Sequence, residues 1–355
     1  MKKVILTTGG TGGHIYPALS VAEELKENGI DILFIGTSLR MEKDIVPKFG
    51  YRFIGLNVQS PRNFVSIVNF IKAIFQSIKI VKKEKPDAII GFGNYISVPT
   101  LVAGIILRKK IYIQEQNATV GMTNRLFFRF CKKIFLAFEA SYDDLPIKYE
   151  EKILVTGNPL RKDILNIDRK TERENLKVSP SEKVLLITGG SLGAKEINDA
   201  VLQEWNRIYE NKNLRIYWAT GEKLYSEVNK KIDRIKTKDV IKPYFDNMVN
   251  IMAAADLVVC RAGALTVSEL IELEKPSVLI PYRYKKVGQM ENAKILEDVQ
   301  GTYVYTGSKG HLAIDRALDL IENQELLDSI SLKIKSLKRK NAAKEIVTEL
   351  DIWRI

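Results

Sequence analysis

The sequence predicts an α/β protein: two nucleotide-type domains with parallel sheets, facing one cleft. Three observations carry this. A short apolar run, a cluster of glycines and a helix-like pattern follow one another near the start, at residues 4–17, and again in the second half, at 184–194. Such an arrangement is a strand feeding a tight turn and a helix N-terminus, where unpaired N–H groups favour an anion. Short apolar runs then alternate with helix-like segments through both halves, the pattern of buried parallel strands. Finally, 355 residues suit two domains.

Taken in order, residues 3–8 read as a strand and 15–28 as a helix ended by Gly29. Strands follow at 30–35 and 52–56, with a helix at 40–48 between them. A long helix runs over 64–83 and stops before Pro86. Residues 87–91, 111–113 and 134–137 are further buried strands. Gly91-Phe92-Gly93-Asn94-Tyr95 and Gln114-Glu115-Gln116-Asn117 follow strands, so they lie at the sheet's carboxyl edge, where open α/β sheets bind ligands. Gly157-Asn158-Pro159-Leu160-Arg161 punctuates the chain and reads as the crossing between domains. The second half places strands at 183–188, 215–219, 240–241, 257–260, 277–281 and 302–304. A closing helix is read over 341–354.

Composition excludes several classes. Cys131 and Cys260 form neither a disulfide framework nor a zinc pattern, and His14 and His311 are the only histidines. No uninterrupted apolar run reaches the roughly 18 residues of a membrane span. The start Met1-Lys2-Lys3 meets glycines too soon for a signal peptide. The net charge of +12 is concentrated: residues 61–133 hold 13 Lys or Arg against 3 Asp or Glu. Such a patch attracts nucleic acid or an anionic membrane. Interleaved surface aromatics for base stacking are missing, which argues against nucleic acid.

The glycine loops lack the Gly-Lys-Ser/Thr ending of a Walker loop and the spacing of a dinucleotide fingerprint. His14 stands just past the first loop, at a helix N-terminus, where a neutral imidazole can act as a base. Glu115, on an edge loop of the same half, is the alternative. Cys260-Arg261-Ala262-Gly263-Ala264-Leu265-Thr266-Val267-Ser268-Glu269 is another strand–turn–helix junction. Glu269 there suits the hydroxyls of a ribose. Gly288-Gln289-Met290-Glu291-Asn292 follows a further strand, and its amides suit a sugar. No Asp-x-Asp motif offers a metal site.

Gly9-Gly10-Thr11-Gly12-Gly13-His14, Glu115-Gln116-Asn117, Gly157-Asn158-Pro159-Leu160-Arg161, Gly189-Gly190-Ser191 and the Arg261 to Glu269 segment occur in the order found in one family. Nearly the whole chain resembles the MurG family of bacterial glycosyltransferases. That resemblance implies the GT-B fold, two Rossmann-like domains across a deep cleft. It places an acceptor- and membrane-facing domain at 1–159, joined by a terminal helix at 340–355, and a donor domain at 160–339. It implies inverting transfer of N-acetylglucosamine from UDP-N-acetylglucosamine to the 4-hydroxyl of the N-acetylmuramoyl sugar of lipid I, an undecaprenyl-linked acceptor, forming lipid II without a cofactor. The related alternative is a GT-B enzyme acting on another lipid or small acceptor. Donor contacts carried over by motif are Thr11, Gly12, Gly13, Asn117, Arg161, Ser191, Phe245, Ala264, Leu265, Thr266, Val267, Ser268, Glu269 and Gln289. The sequence departs from the family at Leu192, Gln114 and Gly288.

Residues 64–81 contain 12 apolar side chains in 18, more than one stripe needs. Phe64, Ile67, Ile71, Ile74 and Phe75 share a face, and Lys72, Lys79 and Lys83 surround it. That is the pattern of an interfacial helix on anionic inner-membrane lipids. With the resemblance it implies a peripheral enzyme on the cytoplasmic face of the bacterial membrane.

Overall fold

The computed structural model describes residues 2–143, 145–190, 192–232, 235–282, 288–306 and 310–352. The chain divides into two compact units, Met1–Lys162 with Arg339–Ile355, and Asp163–Lys338.

Among its described residues the first unit holds seven parallel strands: β1 (Lys3–Thr7), β2 (Asp31–Thr37), β3 (Arg52–Leu56), β4 (Ala88–Gly91), β5 (Lys110–Glu115), β6 (Lys133–Leu136) and β7 (Ile153–Val155). Their order is β3-β2-β1-β4-β5-β6-β7, so winding reverses between β1 and β4. Alternate β1 residues serve opposite faces, as the strand period requires. Val4 and Leu6 pack with Ile15, Ala18 and Leu19 of helix Gly12–Glu27 and with Ile346 of helix Ala342–Thr348. Ile5 packs with Ala73, Leu101 and Phe127 on the other face. Strand β7 escaped the sequence reading because it is three half-buried residues at the sheet edge. The closing helix is shorter than expected and ends at Thr348. Beyond it the Asp351 N–H donates to the Tyr112 hydroxyl at 2.9 Å and Lys110 bonds the Asp351 carbonyl.

Helix Phe64–Glu84 starts in a capping box: Ser66 N–H donates to Asn63 Oδ1 at 2.8 Å, and Asn63 N–H donates to Ser66 Oγ at 3.0 Å. It ends at Lys85 in the left-handed region, while Glu84 pairs with Lys3 and Arg52. Its buried stripe is Ser66, Ala73, Ser77 and Val81, and it packs on helix Val98–Ile106. Phe70, Ile78 and Ile80 are half-buried against the core beside that stripe, while Phe64, Val65, Ile67, Ile71 and Phe75 are exposed, Phe64 by 80%. Contrary to the sequence reading, this helix is long and apolar enough by length and composition to cross a membrane. Lys72 and Lys79 had broken the apolar run.

Among its described residues the second unit holds six parallel strands: β8 (Lys183–Thr188), β9 (Leu214–Ala219), β10 (Val240–Lys242), β11 (Leu257–Cys260), β12 (Ser277–Leu279) and β13 (Thr302–Val304). The order β10-β9-β8-β11-β12-β13 reverses between β8 and β11. Helices Lys195–Gln203 and Leu312–Ile321 cover one face through Ile197, Val201, Ala313 and Ala317. Opposite the carboxyl edge, Lys275 donates to the Ala253 and Ala255 carbonyls, capping helix Met248–Ala254. Glu182 binds Arg215 at 2.9 Å and Lys238 at 2.7 Å.

Candidate active site

In the first unit three loops converge at the reversal of the sheet, after β1, β4 and β5. The glycine loop is held from beneath by Glu42, which is fully buried. Its carboxylate accepts the Gly10 N–H at 3.0 Å and the Thr37 N–H at 3.1 Å. A Cβ on Gly9 would stand 2.1 Å from Glu42 Oε1, so any side chain there would have to displace the Glu42 carboxylate from its hydrogen bonds. Asn94, itself at φ 53°, donates to the Gly9 carbonyl and accepts the Ile96 N–H at 2.8 Å. Thr11 caps the following helix from extended backbone without using its side chain, and is exposed; Gly12, Gly13 and His14 are half-buried in the first turn.

His14 Nδ1 lies 2.8 Å from Gln116 Oε1. The Gln116 amide nitrogen donates to the carbonyls of Phe92 at 3.2 Å and Gln114 at 3.3 Å, and to Gln114 Oε1. Gly93, at φ 81°, backs the imidazole; a Cβ there would sit 3.4 Å from its Cε1. Glu115 ends β5 and is 2% exposed. Its Oε1 accepts from Asn117 N at 3.0 Å and Asn117 Nδ2 at 3.1 Å. Its Oε2 accepts from Gly121 N at 2.9 Å and Asn124 Nδ2 at 2.8 Å. Asn158 joins the same network, accepting from Gln114 Nε2 and donating to the Gln116 carbonyl. Arg161 stacks its guanidinium 5.4 Å from the centre of the Tyr16 ring.

In the second unit the loop after β8 is equally tight. Gly193, at φ 75°, lies so close to the next loop that a Cβ would meet the Thr220 carbonyl oxygen at 2.2 Å. Leu192 is 81% exposed, and Ser191 lies outside the described residues. After β11, helix Ala264–Glu272 begins at Gly263 with no side-chain cap. Ala264, Leu265, Thr266 and Glu269 are half-exposed. Two of the expected contact residues turn their side chains inward. Val267 is fully buried, and its N–H donates to the Gly263 carbonyl. Ser268 is 8% exposed, with its hydroxyl donating to the Ala264 carbonyl. Helix periodicity turns both inward. Phe245 is also buried, in a T-shaped contact with Tyr217 and with Lys242 over its ring. Gln289 opens helix Gln289–Glu297, and its Oε1 accepts the Tyr282 N–H at 2.8 Å. Arg261 ties the junction to Glu196 and to the Ile280 carbonyl. Burial, then the charge of Glu269, pushes the Cys260 thiol up to about 12, which removes it as a nucleophile.

The structure thus gathers Thr11, Gly12, Gly13, His14, Glu115, Asn117 and Arg161 in the first unit, and Ala264, Leu265, Thr266, Glu269 and Gln289 in the second. Glu42, Asn94, Gln116 and Asn124 complete the first set and were not among the expected site residues. Asn94 and Gln116 stood in the edge loops the sequence exposes. Glu42 and Asn124 carried no sequence signal.

Residues 4–136 match the glycosyltransferase family 28 N-terminal domain, and residues 184–347 match the family 28 C-terminal domain. The UDP-N-acetylglucosamine--N-acetylmuramyl-(pentapeptide) pyrophosphoryl-undecaprenol N-acetylglucosamine transferase of Fusobacterium nucleatum is 55% identical over 354 residues, covering 100% of this chain and 99% of that protein. The protein of that name from Halothermothrix orenii is 36% identical, with 98% of each chain covered. The crystal structure of Acinetobacter baumannii MurG superposes with a TM-score of 0.79 at 28% identity, covering 98% of this chain and 99% of that one. A UDP co-structure of S. aureus MnaA shares the fold alone, with a TM-score of 0.71 at 17% identity, covering 98% of this chain and 95% of that one.

Proposed function

The chain belongs to the MurG family of glycosyltransferases within glycosyltransferase family 28, and on that premise we propose that it transfers N-acetylglucosamine from UDP-N-acetylglucosamine to the 4-hydroxyl of the N-acetylmuramoyl sugar of lipid I, giving lipid II. The observation that carries this reading is full-length identity of 55% to a transferase of that name, together with a histidine held by its Nδ1 on the carboxyl-edge loops.

The reaction is a single displacement. The acceptor oxygen bonds to the anomeric carbon as the bond from that carbon to the UDP oxygen breaks, inverting the centre through an oxocarbenium-like state. His14 Nε2 takes the hydroxyl proton. Glu115 is the weaker choice for base, since its four acceptor positions already hold four N–H groups. The leaving diphosphate is met by donors of the second unit: the uncapped first turn at Ala264, Leu265 and Thr266, and the glycine loop after β8. Glu269 receives the ribose hydroxyls, and the Gln289 amide nitrogen a sugar hydroxyl. The first unit serves the acceptor and the second the donor.

The same unit that carries His14 carries the outward apolar face of helix Phe64–Glu84. We assign that face, with Ile74 half-buried beside it and Lys72, Lys79 and Lys83 exposed around it, to anionic lipid at the cytoplasmic face of the membrane, where the protein sits peripherally.

The test is UDP release from UDP-N-acetylglucosamine with lipid I, with a diacylglycerol, and with no acceptor. Release that requires lipid I and yields a disaccharide-bearing lipid is the expected result. Equal release with all three would refute the assignment.

A further inference from the structure

His14 can accept a proton at Nε2 only if its own proton sits on Nδ1. Two features decide where that proton is. The first is distance: Nδ1 and Gln116 Oε1 are 2.8 Å apart, so one of them donates. The second is the orientation of the Gln116 amide. Its nitrogen end faces three acceptors, the Phe92 carbonyl, the Gln114 carbonyl and Gln114 Oε1. Turning the amide over would set an oxygen against all three in a site where Gln116 is 2% exposed. Gln114 is fixed in turn, because its own nitrogen donates to the Glu115 carbonyl and to Asn158 Oδ1. The orientation therefore runs from Asn158 through Gln114 to Gln116. Gln116 must present oxygen to the histidine.

We infer that Gln116 is a positioning residue, which holds neutral His14 as the Nδ1–H tautomer and so directs the Nε2 lone pair to the acceptor hydroxyl. The same oxygen keeps its hydrogen bond when the imidazole becomes a cation, so the ring does not turn during proton transfer. An uncharged amide does this without the fixed negative charge of a carboxylate partner, which would favour the protonated, non-basic ring. This inference rests on the reading of His14 as the base.

The test uses the full chain with ¹⁵N-labelled histidine. There are only two histidines, and His311→Asn removes the other signal. At a pH where His14 is neutral, the expected spectrum shows a protonated Nδ1 and an unprotonated Nε2. A protonated Nε2 in the unmutated protein would overturn the inference, and this measurement needs no variant to fold. Gln116→Met, close in shape but without an acceptor, is expected to shift the signals toward the Nε2–H tautomer. It should lower kcat about tenfold, the scale of one hydrogen bond, with KM for UDP-N-acetylglucosamine unchanged. Unchanged tautomer and kcat in that variant would also overturn it. His14→Ala is measured alongside. Full kcat there would instead overturn the assignment of the base, a failure read separately from the tautomer.

Discussion

Replacing Glu115 by glutamine separates a clamp from a base. The carboxylate accepts four hydrogen bonds, two at each oxygen, from Asn117, Gly121 and Asn124. Glutamine keeps one oxygen and sets an NH₂ group against two of those donors. Two charge-assisted bonds are lost, each worth about 1.5–3 kcal/mol. The lower end is the better figure, because the loop relaxes and neighbouring bonds do not add. A loss of about 3 kcal/mol lowers the melting temperature of a unit this size by about 6–12 °C, at roughly 2–4 °C per kcal/mol. Differential scanning calorimetry, followed by kcat on the folded variant below its transition, reads both quantities. The clamp predicts a marked fall in melting temperature. A base predicts the opposite pair: an unmoved transition, and a kcat lower by about 10²–10⁴. That second pair would refute the clamp and move the proton to Glu115.

Gly193→Ala forces a Cβ to 2.2 Å from the Thr220 carbonyl at a φ of 75°, so it should destabilise the second unit by about 1–3 kcal/mol and weaken UDP in a calorimetric titration; full affinity would remove that loop from the donor site. Charge reversal at Lys72, Lys79 and Lys83 should release the protein from anionic vesicles with UDP affinity intact; equal sedimentation with neutral and anionic vesicles would end the electrostatic part of the membrane assignment. Burial of Glu182 opposes ionisation, but Lys238, Ser179 and Arg215 outweigh it and hold the carboxyl at about 2 against an ordinary 4.5. Its folded pKa is the lower one, so its contribution is complete above pH 4.5 and fades as pH falls toward 2. Glu182→Gln should flatten the acid limb of stability over that window, measured by urea unfolding at successive pH values; an unchanged slope would show the ion cluster to be inert.

How much of this was legible in the sequence follows from the range of the forces involved. Buried parallel strands are continuous apolar runs, so twelve of the thirteen could be read, and the missing one, Ile153–Val155, is a half-buried edge with too few residues to show a pattern. Both glycine turns were visible because a turn needs glycine whatever surrounds it. The burial of Val267 and Ser268 could have been read: in a helix opened at Gly263, positions 267, 268, 270 and 271 form the inward face. The Gln116 network was not legible. Its partners come from positions 14, 92, 114 and 158, and only the register of β1, β4 and β5 brings them to one edge. Nor could periodicity alone show which side of the helix at 64–84 faces out, since apolar residues lie on nearly every side of it.

The inward stripe of that helix supplies the answer, and it connects the fold to the substrate. An ordinary surface helix buries its large apolar residues and shows water its small or polar ones. This one buries Ser66, Ala73, Ser77 and Val81 and leaves Phe64, Val65, Ile67, Ile71 and Phe75 outside. Phe70, Ile78 and Ile80 complete the inward packing, and the five exposed large side chains are surplus to it. Full burial of one large apolar side chain is worth about 1.5–3 kcal/mol. Even half of that, summed over five, is several kcal/mol left unrealised in water. On the membrane assignment proposed above, anionic headgroups around the lysines would add about 1 kcal/mol for each charge at the surface. A water-soluble donor can diffuse to the enzyme, whereas an undecaprenyl-linked acceptor cannot leave the bilayer. The enzyme must therefore come to the acceptor, and the unit to which we assign the base is the one whose surface is left incomplete.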